Sequence, residues 1–324
     1  MITCLSVKTD RRDDRPWAKI DDGVLVVDKP QGWTSHDVVA KMRYLAKNRK
    51  IGHAGTLDPM ATGVLVLGIG RATRLLSYIV DAPKEYHATL RLGIATTTED
   101  AEGERTESPG FAHADPAAVE VAAAKFTGTI MQVPSAVSAI KVDGKRAYDL
   151  VRQGEDVNLA AREVNISLID VIEVRTATTD DGIAVVDVDL VVRCSAGTYI
   201  RALGRDIAHE LGTCGHLTAL RRTHIGDFTV EGALGPIPLE EQTKTEGALA
   251  VRSIADAISA VLPVRHVTDD EARELSFGRA VTATGKPGTF GALSASGEAV
   301  ALLEDRRVRG ELVAQPVVVL APAN

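Results

Sequence analysis

The sequence predicts an α+β fold, in which a large, mostly antiparallel mixed sheet is flanked by helices and followed by a small β-rich C-terminal module. Two long segments, 164–174 and 183–194, alternate apolar and polar residues as half-buried strands do. Strand-like and helix-like segments follow one another without a regular strand–helix–strand rhythm, which disfavours a parallel sheet. From residue 263 onward the apolar runs are short, and they predict a module built mainly from strands.

The first predicted elements are a buried strand and a capped helix. Residues 23–28 are mostly apolar, and Lys29 and Pro30 end the run. Thr34 or Ser35 is a suitable N-cap for the helix that follows, because apolar side chains recur after it at helical spacing.

Two strands and a helix are predicted next. Residues 64–67 form a second buried strand, and residues 85–92 alternate cleanly, with Tyr86 on the apolar face. Pro116 begins a helix that Gly128 ends, in the positions that proline and glycine prefer.

Three helices are predicted in the second half of the chain. Residues 198–211 place apolar side chains on one face, and Gly212 ends that helix. A helix near 249–261 ends before Pro263, and the capping-box sequence 268–271 begins another.

Composition excludes several classes of protein. The chain has 324 residues, a net charge of −7, no apolar run of transmembrane length and no signal-peptide segment. Its three cysteines form no CxxC pair, which is typical of a reducing cytosol, so we expect a cytoplasmic protein. Cys214 and the histidines near it lack a fourth ligand at zinc spacing. Residues 1–21 are charged and irregular, and we expect a disordered leader there.

The net charge conceals a basic region. Residues 29–74 carry eight lysines and arginines against two acidic residues, a local charge of +6. Such a region can follow a phosphate backbone, although a solvated helix face explains residues 41–50 equally well.

The most informative segment is 52–63, which holds three glycines, one proline and a single carboxylate, Asp58. Glycines permit tight turns and the close approach of a ligand, and a carboxylate in such a loop is a candidate nucleophile. An isolated Asp-Pro pair is more typical of a simple turn. The complete string, however, resembles the catalytic motif of the TruB family, the tRNA pseudouridine-55 synthases. The resemblance implies the pseudouridine synthase fold and makes Asp58 the nucleophile.

Other segments extend the resemblance. Residues 84–86 and 193–201 are similar to two further motifs of the family. They imply that Tyr86 stacks on the target base, that Arg201 pairs with the catalytic aspartate, and that Tyr199 lines the base pocket. Segment 25–35 resembles the family's first motif, in which a role in bracing the active-site loop is expected.

The resemblance also implies an RNA-binding surface. Residues 132–154 are similar to the RNA-gripping insertion of TruB proteins, whose basic side chains contact phosphates. The expected RNA-binding residues are Lys141, Arg146, Arg152, His53, Tyr199, Leu220 and Arg221. In the family, the leucine touches the uracil, and the histidine occupies the space of flipped bases.

Two domains are therefore expected after the leader. Residues 22–262 form the catalytic domain, with the RNA-gripping insertion near 132–160, and residues 263–324 form a PUA-like RNA-binding domain. All the chemical motifs precede residue 230, so a chain ending near Pro263 is expected to fold and to modify a T-arm stem-loop.

The partner implied by the resemblance is the T-arm stem-loop of tRNA, whose uridine 55 is isomerised. No metal, nucleotide or redox cofactor, no guide RNA, no obligate protein partner and no membrane are expected, and the chain is expected to be a monomer.

Four alternatives compete with this interpretation. A dinucleotide loop at Gly68–Arg71 lacks its third glycine, and a serine acyl-enzyme motif at Ser138 lacks its companion sequences. An RNA-binding or RNA-folding protein without catalysis would use the same basic insertion and tail. A guide-dependent archaeal homologue is disfavoured by the insertion.

Overall fold

The computed structural model describes residues 20–135 and 159–321, together with the backbone of residues 141–142 and 145–146. The expected leader therefore lies almost entirely outside the described residues. The strands are β1 Gly23–Lys29, β2 Ile51–Ala54, β3 Thr62–Ile69, β4 Lys84–Leu92, β5 Ala95–Thr96, β6 Arg105–Glu107, β7 Gly128–Gln132, β8 Lys141–Val142, β9 Lys145–Arg146, β10 Arg162–Thr178, β11 Ala184–Cys194, β12 Gly215–Ile225, β13 Phe228–Thr229, β14 Val264–His266, β15 Val281–Thr282, β16 Thr289–Leu293, β17 Ala299–Val308 and β18 Glu311–Val319. The helices are α1 Ser35–Ala46, α2 Leu76–Asp81, α3 Pro116–Ala124, α4 Ile200–Glu210, α5 Pro236–Glu246, α6 Ile254–Ser259 and α7 Asp269–Ser276, with a 3-10 helix at Gly70–Leu75.

The large sheet is mixed and mostly antiparallel, which confirms the predicted fold class. Its strand order is β1-β3-β12-β4-β11-β10-β7, and the short strands β2 and β13 pair with β3 and β12. Only the β3–β12 contact in this sheet is parallel, and it spans two residue pairs. Helices α3 and α4 pack on the sheet through apolar side chains such as Val119, Leu203 and Ile207.

The β3–β12 contact positions the loop sequence 52–63. Along one edge of β3, strand β2 pairs with residues 66–69, whereas β12 pairs only with Thr62 and Gly63. The loop that connects β2 to β3 lies where these two neighbours separate. It is therefore placed in the middle of the sheet, beside β12.

Several predicted boundaries are corrected. Thr34, not Ser35, is the N-cap of α1, where it forms a capping box with Asp37. Helix α3 ends at Ala124, and Gly128 begins β7 with a positive φ of 98°.

The helix predicted near 249–261 is shorter than expected, because α6 begins only at Ile254. The Ser253 side chain accepts a hydrogen bond from the Asp256 amide and so caps the helix there. Just before it, Arg252 pairs with Val24 of β1.

The C-terminal part forms a five-stranded sheet in the order β14-β16-β17-β18-β15, as the β-rich prediction requires. Helix α7 begins with the predicted capping box of Thr268 and Glu271. None of the described helices combines the length and apolar character needed to cross a membrane.

Candidate active site

Asp58 lies in the loop of residues 55–61, the Asp58 loop, whose backbone is held on both sides of the carboxylate. On the N-terminal side, the Ser35 hydroxyl accepts a hydrogen bond from the Leu57 amide at 2.9 Å and donates to the Leu57 carbonyl at 3.2 Å. Ser35 is buried, so water does not compete for these bonds.

The C-terminal side of the loop is held through the Pro59 carbonyl. It accepts hydrogen bonds from the Gly32 amide at 2.9 Å and from the Lys29 ammonium at 3.2 Å. The same ammonium, which is fully buried, donates to the Trp33 carbonyl at 2.6 Å. Lys29 is thus part of the support of the loop, in agreement with the bracing role expected of its motif.

The Asp58 carboxylate forms an ion pair with Arg201, at 2.9 Å between Oδ2 and Nε. The arginine side chain is only 6% exposed, whereas the aspartate is 37% exposed at the mouth of a cavity. Arg201 also donates to the Thr98 carbonyl at 2.6 Å and lies 3.4 Å from the buried carboxylate of Asp100. The guanidinium is fixed from behind and therefore orients the exposed carboxylate.

Asp100 was missed by the sequence analysis. Its only signal is a cluster of acidic residues after Ala95, and such clusters usually lie on solvated surfaces. In the structure this carboxylate is buried instead, behind Arg201, which lies at the start of α4.

The cavity in front of Asp58 has a volume of about 270 Å³. It is slightly smaller than a typical ligand pocket, a size that suits a single flat ring. Its lining includes Tyr86, Tyr199, Leu220, Lys84 and Arg222 together with Asp58 and Arg201. Burial raises the pKa of Tyr86, so its phenol is protonated at neutral pH.

Gln132 holds Tyr199 at the N-terminus of α4. Its side-chain amide donates to the Tyr199 carbonyl at 3.1 Å and accepts from the Tyr199 amide at 2.9 Å. This buried glutamine lies in the stretch that resembles the RNA-gripping insertion, but the sequence assigned it no role of its own. Its two bonds fix the backbone of a residue that lines the cavity.

The cavity also contains two buried cations, Arg222 and Lys84, to which the family motifs assigned no part in the chemistry. The Arg222 guanidinium donates to the Val64 carbonyl and to the Gly55 carbonyl, each at 2.9 Å. Burial, and then repulsion by Arg222, lower the pKa of Lys84 to about 8. Strand β12 was not predicted, because its polar and basic residues obscure the alternation. With the strand in place, Arg222 falls on the same face as Leu220.

Two of the expected RNA-binding residues lie outside the cavity. His53, on β2, packs edge-to-face on His36 with ring centroids 5.5 Å apart, and burial lowers the pKa of His53. Arg221 points to the opposite face of β12 from Arg222 and pairs with Asp28 at 2.7 Å. Its charge is therefore partly compensated within the protein.

The expected phosphate-binding residues of the insertion fall on the part that the structure does not describe in full. Lys141 and Arg146 face each other across the β8–β9 pair, and only their backbone is described. Arg152 lies outside the described residues.

The basic region 29–74 does not form one continuous basic face. Lys29 is buried under the Asp58 loop, Lys41 pairs with Glu240 at 2.5 Å, and Arg71 pairs with Asp22 at 2.6 Å. The local charge of +6 therefore overstates what is available to a phosphate backbone, because tertiary contacts between distant residues compensate part of it.

The weak zinc signal finds no support among the residues that the structure describes, where no three His, Cys, Asp or Glu side chains are grouped as metal ligands. His216 instead contacts the Ile94 carbonyl through Nδ1, at 2.8 Å.

Comparisons with known proteins agree with the family resemblance seen in the sequence. The family model described as the N-terminal domain of TruB family pseudouridylate synthase matches residues 43–200, and that of the C-terminal part of tRNA pseudouridine synthase II matches residues 262–321. A tRNA pseudouridine synthase B of Arthrobacter sp. (strain FB24) is 53% identical over 93% of this chain and 97% of its own length. The protein of the same name from Thermobifida fusca is 50% identical over 93% and 99%.

Solved structures share the fold. A chain of a Cbf5–Nop10–Gar1 complex matches with a TM-score of 0.71 and 27% identity, covering 93% of this chain and 85% of that one. A chain of an archaeal box H/ACA Nop10–Cbf5 complex, 24% identical over 94% of this chain and 88% of that one, reaches a TM-score of 0.68.

Proposed function

The chain belongs to the TruB family of pseudouridine synthases, and from this premise we propose that it converts uridine 55 in the T-arm loop of tRNA to pseudouridine, with Asp58 as the nucleophile. The relatives that are 50–53% identical over 93% of this chain are tRNA pseudouridine synthases. This protein is accordingly an isomerase that acts on tRNA. The observation that carries the assignment of the site is the Asp58–Arg201 ion pair at the mouth of a cavity lined by Tyr86 and Leu220.

The reaction replaces one bond by another within the same nucleotide. The N1–C1′ bond breaks, the uracil turns, and a C5–C1′ bond forms with loss of the C5 proton and gain of a proton at N1. Asp58 attacks the nucleotide while Arg201 aims its carboxylate. The ring of Tyr86 stacks on the uracil, and Leu220 and Tyr199 close the pocket around it. Because uridine 55 is stacked inside a folded loop, it must first flip out, which costs a few kcal/mol.

Binding of the RNA is proposed to rest on shape and phosphate contacts, with flipped bases held near His53. Lys141, Arg146 and Arg152 of the insertion and Arg221 of β12 supply positive charge. The domain boundaries proposed are 22–262 for catalysis and 263–324 for the PUA-like part. The family models that match on either side of this boundary support the division.

The enzyme is proposed to act alone, as a cytoplasmic monomer and without a guide RNA. The relatives at about 50% identity are named tRNA pseudouridine synthase B, whereas the two Cbf5 chains from multi-protein complexes described above are 27% and 24% identical. A purified T-arm stem-loop with no added RNA or protein is therefore the appropriate first substrate.

The test compares the wild type with Asp58→Asn. Asparagine keeps the shape of the side chain without the charge, so turnover should fall by more than about 10⁴-fold, beyond what loss of a general base costs. Turnover is measured as release of tritium from RNA labelled at uracil C5, because that hydrogen leaves when C5 bonds to C1′. RNA affinity should remain nearly unchanged.

The matched control is Asp115→Asn. Asp115 caps α3 on the surface, and asparagine is an equally good N-cap, so activity should not change. Residual turnover of Asp58→Asn within tenfold of the wild type would remove Asp58 from the reaction. Binding of the stem-loop by the wild type without any tritium release would instead favour the non-catalytic RNA-binding protein.

A further inference from the structure

Arg222 is one of the largest fully buried side chains in the described part of the chain, with 1% of its surface exposed. Its two hydrogen bonds to the carbonyls of Val64 and Gly55 leave its charge uncompensated, since a carbonyl is neutral. Among the residues that the structure describes, no carboxylate forms an ion pair with it. Arg201, the other buried arginine of the cavity wall, differs in this respect, because it is paired with both Asp58 and Asp100.

An unpaired buried charge is expensive to maintain. Moving a cation out of water costs several kcal/mol even after the protein relaxes, and an apolar side chain of similar volume often gives a more stable protein. The two carbonyls could be satisfied by uncharged donors. The burial of a full charge at this position therefore calls for an explanation beyond folding.

The position of Arg222 points to the ring that fills the cavity. Arg222 is the direct cross-strand partner of Tyr86, so their side chains lie side by side on one face of the sheet. Leu220, two residues earlier on β12, lies on the same face and also lines the cavity. The bonds to Val64 and Gly55 use two of the five guanidinium N–H groups, which leaves three for the phenol of Tyr86 and for the bound ring.

We propose that Arg222 is a catalytic residue that stabilises the negative charge formed on the uracil when the N1–C1′ bond breaks. This inference rests on the proposed function. The electron pair of the broken bond departs with the uracil, and the sugar is left short of two electrons beside the Asp58 carboxylate. After the ring turns, its electron pair forms the C5–C1′ bond, and any bond between Asp58 and the nucleotide breaks. A base removes the C5 proton and N1 takes up a proton, so that atoms and charge balance.

A fixed guanidinium suits this task because it needs no reorientation when the charge appears. Donors placed in advance around a developing anion, inside a site that excludes water, act more strongly than the same groups in solution. Arg222 is fixed to the backbone of the Asp58 loop through Gly55 and to β3 through Val64. The positions of nucleophile and charge stabiliser are thus linked through the same loop.

The alternative is that Arg222 only braces the Asp58 loop, and the two roles respond differently to the substrate. Fluorine at C5 withdraws electrons and stabilises a negative uracil, so it reduces the need for a nearby cation. A brace affects the alignment of any substrate to the same degree. The experiment therefore compares stem-loops that carry uridine or 5-fluorouridine at the target position.

The variants are Arg222→Gln, Arg222→Lys and the control Arg91→Gln, with excess enzyme so that a single turnover is followed. The rate is measured as disappearance of the target nucleoside after nuclease digestion and chromatography. We expect Arg222→Gln to slow the uridine reaction by about 10²–10³-fold, as loss of one such donor does elsewhere. The loss with 5-fluorouridine should be at least about tenfold smaller.

The control and the second variant keep the test decisive. Arg91 lies on β4 and pairs with Asp187 away from the cavity, so Arg91→Gln should react like the wild type. If Arg222→Gln does not fold, Arg222→Lys decides. Lysine keeps the charge but not the paired geometry, and it should stay within about tenfold of the wild type on both substrates if the charge matters.

Two results would overturn the inference. One is an equal loss of more than about tenfold on both substrates for either Arg222 variant, which would identify a brace. The other is wild-type rates in Arg222→Gln. A wild type that consumes neither substrate would refute the proposed function itself, which is a separate outcome.

Discussion

Lys29 is the residue on which the Asp58 loop rests, and its burial has a consequence for stability. The ammonium is surrounded by the carbonyls of Pro30, Trp33 and Pro59. Burial lowers the pKa of Lys29 from 10.5 to about 8, although nearby acids, Asp58 first among them, oppose the shift. Between these values the unfolded chain binds a proton that the folded chain has lost. The contribution of Lys29 to the free energy of unfolding therefore increases as the pH rises from about 8 to 10.5.

Replacing Lys29 by methionine should remove this pH dependence. We expect the free energy of unfolding of the wild type, relative to that of Lys29→Met, to increase by about 2–2.5 kcal/mol between pH 7.5 and pH 10. Urea unfolding of both proteins at several pH values measures the difference. Lys84, whose pKa is lowered by a similar amount, is present in both proteins and cancels. Parallel pH profiles would contradict the assignment.

The residues of the site were predictable to different degrees for a physical reason. Asp58, Tyr86 and Arg201 belong to motifs that extend over several neighbouring residues, so the sequence alone brought them forward. Asp100 and Arg222 owe their places in the site to contacts made by segments distant along the chain. Nothing local distinguishes a buried acid or arginine from a surface one, and only the tertiary fold reveals the difference.

Gly63 shows how the β3–β12 contact supports the site. Its φ of 101° is a conformation that favours glycine, and a Cβ there would lie 2.1 Å from the Arg222 carbonyl oxygen. An added methyl group would therefore push β12 away from β3. That displacement would move Arg222 and the end of the Asp58 loop together.

Gly63→Ala and Gly128→Ala form a matched pair that separates backbone strain from this close approach. Gly128 has nearly the same φ, 98°, but a Cβ there would meet nothing within 4 Å. Both variants should lose about 1–3 kcal/mol from the positive φ, and Gly63→Ala should lose at least about 2 kcal/mol more from the clash. Urea unfolding and tritium release measure the two effects. Turnover should fall only in Gly63→Ala, and similar behaviour of the two variants would show that the contact is unimportant.

At the level of elements, alternation predicted strands better than it predicted the limits of helices. Strands β4, β10 and β11 were predicted because one face of each is apolar. The run 249–253 reads as helix in sequence, yet Arg252 pairs with β1 and Ser253 supplies the cap. A single tertiary contact thus outweighed local preference.

At the level of the whole molecule, the two parts share one apolar core. Helix α6 contacts β1 on one side and β16 and β17 on the other. The shared cluster contains Val24, Val64, Val66, Phe228, Ile254, Ala257, Ile258, Leu293, Leu302 and Leu320. Arg71 and Arg74 also donate to the carbonyls of Leu320 and Val319. The β-rich tail is therefore packed into the structure that carries the site, which the short strands in its sequence did not reveal.

This packing changes what is expected of a shortened chain. The sequence suggests that a chain ending near Pro263 folds and stays active. Such a chain would lack Leu293, Leu302 and Leu320, and the apolar face of α6 would then be exposed. At about 25 cal/mol per Å² of apolar surface, even three side chains of this size represent several kcal/mol. We expect the melting temperature of a chain ending at Leu262 to lie about 10 °C or more below that of the full-length protein. This chain should also lose activity equally on a stem-loop and on whole tRNA.

A full-length variant separates this structural role from any contact of the tail with RNA. Arg307 and Arg309 are exposed at the turn between β17 and β18, so Arg307→Gln with Arg309→Gln removes two charges without opening the core. This protein should keep the wild-type melting temperature and stem-loop activity. If the tail touches tRNA beyond the T arm, the Michaelis constant of this variant should rise for whole tRNA only. The expected rise is about three- to thirtyfold, which corresponds to a loss of about 0.7–2 kcal/mol in binding free energy. The chain ending at Leu262 gives the opposite test. If it keeps the stability and the stem-loop turnover of the wild type, the tail is an independent module, because the shared core then contributes nothing to the catalytic part.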